Sequence, residues 1–236
     1  VSTATRPTVA PRARVVLPAL LRKELRVELR SFEAVPAMSL FSVTTFVLFH
    51  FALARNALSG DLASGVLWVT LLFAAMLGIN RLFVTDAEQG GFDGFLLSPA
   101  DRSLLLYAKA ITLLAYLVVL ELVAVPAFAL LLLGVSLWPA LPGLAVVLAL
   151  GDLGVVVIGT LVGALAVRTS VRDLLGPMIS LPLLVPVLLC AARACSPVLA
   201  ATGSGALPLR WLVTLALYDL VFGLITFAVF DFLLED

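Results

Sequence analysis

Six apolar runs of membrane-spanning length, separated by short polar breaks, leave this chain little choice of solvent or fold. A hydrocarbon core about 30 Å thick needs roughly 20 apolar residues in a helix. The runs Ala37 to Ala54, Ser64 to Val84, Leu106 to Gly134, Pro142 to Val167, Leu174 to Leu199 and Leu209 to Leu233 meet that need. No break between them is long enough for a soluble domain. Of the residues, 62% are hydrophobic and 13% charged, against about half and about a quarter in a soluble domain. The expected fold is therefore an all-α membrane protein of six transmembrane helices. Pro126, Pro182 and Pro186 fall inside long runs and remove backbone donors, so tilting or kinking is expected there. The fifth run, with two of these prolines, is expected to be a broken, hairpin-like element near the outer surface.

Charge supplies the orientation. Fifteen basic residues balance fifteen acidic ones, which argues against a nucleic-acid partner and places the information in where the charges sit. Arg6, Arg12, Arg14, Arg22, Lys23, Arg26, Arg30, Arg81, Arg102, Lys109, Arg168 and Arg172 fall on one side of the spans. Arg55, Arg193 and Arg210 fall on the other. Basic residues are retained in the cytoplasm, so both termini are expected there, and the count keeps its sign without the first three arginines. Val1 to Arg14 has no apolar run, so a cleavable signal is not expected and residues 1–14 read as a flexible tail. Over residues 15–33, Leu17, Leu21, Leu25, Leu29 and Phe32 recur at helical spacing, with Arg22, Lys23, Arg26 and Arg30 on other faces. This pattern predicts an amphipathic helix in the cytoplasmic interface, its leucines in the acyl boundary and its arginines near anionic head groups. The remainder, 34–236, reads as one six-span unit.

The polar stretch after the second span, residues 86–102, carries Asp86, Glu88, Asp93 and Arg102 together with Phe92, Phe95, Leu96 and Leu97. A mere connector has no use for those apolar side chains, which are unfavourable in water unless covered. Two readings fit: a short helix docked on a partner protein, or a helix lying on the membrane surface.

Three carboxylates lie within predicted spans: Glu121, Asp152 and Asp219. An Asp at a helix centre costs about 2.5 to 3.5 kcal/mol even on the low insertion scale, so each should be protonated or hydrogen-bonded between helices, or else mark a proton or cation path. Gly159 and Gly163 have the GxxxG spacing of close helix packing. His50 suits packing or interfacial hydrogen bonding better than haem ligation. Cys190 and Cys195, five apart on one helix, point roughly 140° apart and should not pair. The patterns GxxxxGK[ST], HExxH and GxSxG are missing, so no catalytic site is expected. Energy for any transport must then come from outside the chain.

Several stretches together, from about Leu21 to the C-terminus, resemble the CcmB family of haem exporter protein B. They are Lys23-Glu-Leu-Arg-Val-Glu-Leu-Arg30, Gly65-Val-Leu-Trp68, Arg81-Leu-Phe83, Gly94-Phe-Leu-Leu-Ser-Pro99 and Ala108-Lys-Ala110. Gly159-Thr-Leu161, Leu174-Leu-Gly-Pro177, Leu181-Pro-Leu-Leu-Val-Pro186, Asp219 and Phe232-Leu-Leu-Glu235 complete the set. The resemblance implies an ABC-2-like permease subunit in a bacterial or archaeal cytoplasmic (inner) membrane. It makes residues 86–102 a coupling helix for a cytoplasmic ABC ATPase. It also implies a haem-handling membrane subunit and a periplasmic haem chaperone as partners, haem as a possible substrate, ATP acting through the ATPase, and no cofactor held by this chain. Glu121 and Asp219 look typical of the family. Asp152 departs from its pattern, as does Asn80. A proton-coupled secondary transporter using Glu121 and Asp219, or a structural scaffold, are the alternatives.

Overall fold

The computed structural model describes residues 13–31, 33–53, 57–85, 103–134, 136–167, 172–200 and 206–233. Among them run seven α-helices: α1 (Ala13–Ser31), α2 (Ala34–Ala52), α3 (Gly60–Asn80), α4 (Ser103–Leu131), α5 (Leu137–Val167), α6 (Arg172–Cys195) and α7 (Leu209–Leu233). A five-residue π-turn, Arg81–Thr85, continues α3. Helices α2 to α7 supply six segments long and apolar enough to cross a membrane.

The central helices are α3 and α5, with 72% and 67% of their most apolar stretch buried, against 22% for α2 and 17% for α7. The last two therefore leave most of their surface uncovered by the rest of the described chain. Between hydrocarbon-soaked helices there is no hydrophobic push, so close van der Waals packing decides the arrangement, and small residues permit it. On α5, Gly159 receives Ile79 and Gly163 receives the Phe83 ring, leaving no room for a methyl group at either. Gly151 receives Trp68 in the same way. The GxxxG spacing is thus the seat of α3 and its π-turn on α5.

Contacts sort the bundle into two ends. At one, α1 lies beside the start of α4, and Arg81 meets Glu33 at 2.6 Å. At the other, the three inter-helix connections are joined by backbone bonds. Leu58 N–H donates to the Leu132 carbonyl (2.7 Å), Gly134 N–H to the Leu58 carbonyl (3.2 Å) and Gly60 N–H to the Leu199 carbonyl (2.8 Å). Gly60 has φ +60°, a backbone that glycine adopts without strain. His50 Nδ1 lies 2.6 Å from the Leu131 carbonyl. A carbonyl can only accept, so Nδ1 carries the proton and the ring serves as an interhelical tie.

The fifth span corrects an expectation. It is one continuous helix, α6, through Pro177, Pro182 and Pro186, and the chain turns only at residues 196–199. Prolines are tolerated in a membrane helix that is packed among neighbours. Here the Tyr218 hydroxyl of α7 donates to the Leu183 carbonyl at 2.7 Å, in the middle of the proline-rich stretch. Tyr218→Phe should therefore lower stability by about 1 kcal/mol, read by thermal unfolding in detergent. Cys190 and Cys195 are buried free thiols on this helix.

Candidate functional site

The face of α1 turned toward the bundle is not its leucine repeat. A strict four-residue spacing precesses about 40° per step at 100° per residue, so Leu17 and Leu21 pack partly inward while Leu25 and Leu29 swing out to 43% and 69% exposure. The inward stripe continues instead as Glu24 and Glu28. Glu24 is buried, and its Oε1 meets Lys109 Nζ of α4 at 3.1 Å and Lys23 Nζ at 3.4 Å. Glu28 Oε1 accepts the Val35 N–H at 2.9 Å, supplying an acceptor to the first turn of α2. The bases Arg22, Lys23, Arg26 and Arg30 are all exposed. Acids inward and bases outward is the charge division of α1.

Lys109 is the centre of this end. It is 1% exposed; its Nζ also donates to the Leu82 carbonyl in the π-turn at 3.0 Å and stands 5.9 Å from the Phe83 ring centroid. A buried ammonium needs pairing of this kind. Lys109 joins α1, α4 and the π-turn.

The expected docking residues Asp86, Glu88, Phe92, Asp93, Phe95, Leu96, Leu97 and Arg102 lie outside the described residues. Their flanks are described. The π-turn leads into the segment and α4 leads out of it, and the Lys109–Leu82 bond holds those two flanks together at the α1 end.

Within the spans, Glu121 of α4 and Asp152 of α5 face a common space, and Glu121 Oε1 is buried with no hydrogen-bond partner among the described residues. Both residues line a cavity of about 20 Å³ beside Trp68 and Leu184, room for one water. They also line a groove of about 380 Å³ between α4 and α5. Asp219 is apart from them, packed on Gly154 and Val187, with neither carboxyl oxygen partnered among the described residues. Family resemblance singled out Glu121 and Asp219 as candidates; the fold brings Glu121 together with Asp152 instead. Among the described residues, no three His, Cys, Asp or Glu side chains gather as a metal site.

Comparison with known proteins decides the family. The profile described as CcmB protein matches residues 15–233, nearly the whole chain. The chain belongs to the CcmB family. Its relatives include the heme exporter protein B of Bradyrhizobium diazoefficiens, 32% identical over 209 residues, which cover 88% of this chain and 93% of that one. Those of Rhodobacter capsulatus (32% over 179 residues, 74% and 80% covered) and Pseudomonas aeruginosa (31% over 178 residues, 74% and 78%) are similar to it as well. As a CcmB-family member with six apolar helices, this is a multi-pass membrane protein. The family match spans both α1 and Lys109. Sequence reasoning counted Lys109 as a flanking charge and missed its burial. The signal was there: one lysine within Leu104-Leu-Leu-Tyr-Ala-Lys-Ala-Ile111, set in an otherwise apolar run.

Proposed function

We propose that this chain is the non-catalytic permease subunit of an ABC-type complex, coupling ATP hydrolysis by a partner ATPase to haem export or haem-chaperone release in c-type cytochrome biogenesis. The observation that carries the reading is similarity over most of the chain to proteins named heme exporter protein B. Residues 86–102 are the ATPase-docking segment, entered through the π-turn. Support comes from their exposed-type apolar residues in the sequence and from the tie between their two flanks. Both termini face the cytoplasm, and α1 rests in the interface with its arginines toward anionic head groups. The exposed Arg22, Arg26 and Arg30 and the outward Leu25 and Leu29 favour that placement. The other partners are a haem-handling membrane subunit and a periplasmic haem chaperone.

Replacing Phe95 and Leu96 with aspartate tests the docking segment. Co-purification of the ATPase should fall by at least about tenfold, equivalent to 1.4 kcal/mol of binding, and c-type cytochrome yield should fall with it. Undiminished association would remove this segment from the coupling role. Cytochrome maturation with an ATPase-dead partner would favour a scaffold, and transport by the purified chain in liposomes under a pH gradient would favour a secondary transporter.

A further inference from the structure

Asp152 is the midpoint of α5, and Glu121 of α4 faces the same space, so both acids lie deep within the spans. At that depth an unpaired charge is expensive, and a polar group without a partner is costly too. Glu121 Oε1 is nevertheless buried with no hydrogen-bond partner among the described residues, and Asp152 is 6% exposed. No base of the described spans lies at their depth. His50, Arg81, Lys109, Arg172, Arg193 and Arg210 all stand within about two turns of a helix end.

The groove of about 380 Å³ that these acids line has Leu114 and Val118 on its α4 side and Ala145 and Ala149 on its α5 side. Both alanines are exposed, and they share one face of α5 with Asp152, at positions i, i+4 and i+7. Small residues four apart let a second helix approach closely, and a polar residue beside them bonds across the interface. No other helix of the described chain lines this groove. Its third side is open.

We infer that this groove seats one transmembrane helix of another protein, whose lysine or arginine at mid-membrane reaches Glu121 and Asp152. The helix lies along Ala145 and Ala149, and its cation supplies the opposite charge and the hydrogen-bond donors that the two acids lack. Other occupants leave something unmatched. A lipid chain would fill the apolar part and leave the acids unpaired. A small ligand would be wrapped by two helices only, whereas ligand pockets bury most of what they hold. A second copy of this chain has no base at that depth to offer. The seat goes beyond the proposed function and does not depend on the ATPase.

The full chain in liposomes, mixed with a synthetic membrane helix, tests the seat. The probe is a leucine–alanine helix of about 20 residues with one central lysine, and its twin carries methionine there. Energy transfer from labelled chain to labelled probe reads association. The lysine probe should bind at least about tenfold tighter than its twin. Glu121→Gln with Asp152→Asn should abolish that preference, and Glu121→Gln alone should reduce it, which keeps the test sound if the double variant folds poorly. Ala145→Phe with Ala149→Phe should weaken both probes about tenfold or more by filling the groove; these side chains point outward, so the fold is spared. Equal binding of the two probes, a lysine preference that survives neutral residues at 121 and 152, or indifference to the phenylalanines would each overturn the seat. So would self-association of the chain that the phenylalanines abolish and the lysine probe does not displace, since the groove would then be a contact between copies.

Discussion

Glu24→Leu is expected to destabilise the folded chain by about 3–5 kcal/mol, the cost of removing one member of a buried ion pair. Most of that cost is the loss of a 3.1 Å ion pair at a site where the Lys109 side chain is 1% exposed. The double variant Glu24→Leu with Lys109→Met should regain most of the loss, because apolar groups of similar volume replace a buried pair at little cost. It should not regain the Leu82 bond, so a residual deficit of about 1 kcal/mol is expected. Denaturant or thermal unfolding in matched detergent micelles reads both numbers. A single-variant cost below about 1 kcal/mol, the range of exposed pairs, would mean that the ammonium has access to water or another anion.

Gly163→Val should be the second large effect. A Cβ there would stand 2.5 Å from the Phe83 ring, which is itself 2% exposed, so the ring must shift. Forcing extra carbon into a packed interior costs about 1–3 kcal/mol, sometimes more. In a membrane that penalty is not offset by extra hydrophobic burial, since lipid is as apolar as the core. Phe83→Ala alone should also destabilise by leaving a void. Gly163→Val in the Phe83→Ala background should cost much less than in the natural chain, and the cycle isolates the ring-on-glycine contact. Additive losses would show that Gly163 matters for another reason, such as backbone freedom.

The spans were legible because hydrocarbon thickness sets a length that apolar runs either meet or miss. The run from Ala37 became α2 from Ala34, its start moved back three residues by an acceptor no run-length rule can see, Glu28 on the preceding helix. The helix of residues 15–33 was legible from its period, and it appears as Ala13–Ser31. Its facing was not. Leucine spacing gives an apolar face but cannot tell that Glu24 has a lysine waiting 85 positions along the chain, the interval from 24 to 109. The proline-rich span misled for a related reason: whether prolines break a helix depends on the neighbours packed along it, here α7 with its Tyr218 hydroxyl on the Leu183 carbonyl. The intramembrane acids were recognised as expensive, yet rank by family likeness set Asp152 aside. The fold places Asp152 against Glu121, because α4 and α5 run side by side and α7 reaches Asp219 to a different face of α5, at Gly154.

The backbone bonds that link Leu58, Leu132, Gly134, Gly60 and Leu199 bind three successive helical hairpins at their turns. They tie the bundle at the end opposite α1 and opposite the point where the chain enters residues 86–102. Any tilt of a helix about these ties grows with distance from them. A helix of 20 residues is about 30 Å long, so a tilt of a few degrees at the turns becomes a shift of an ångström or more at the π-turn.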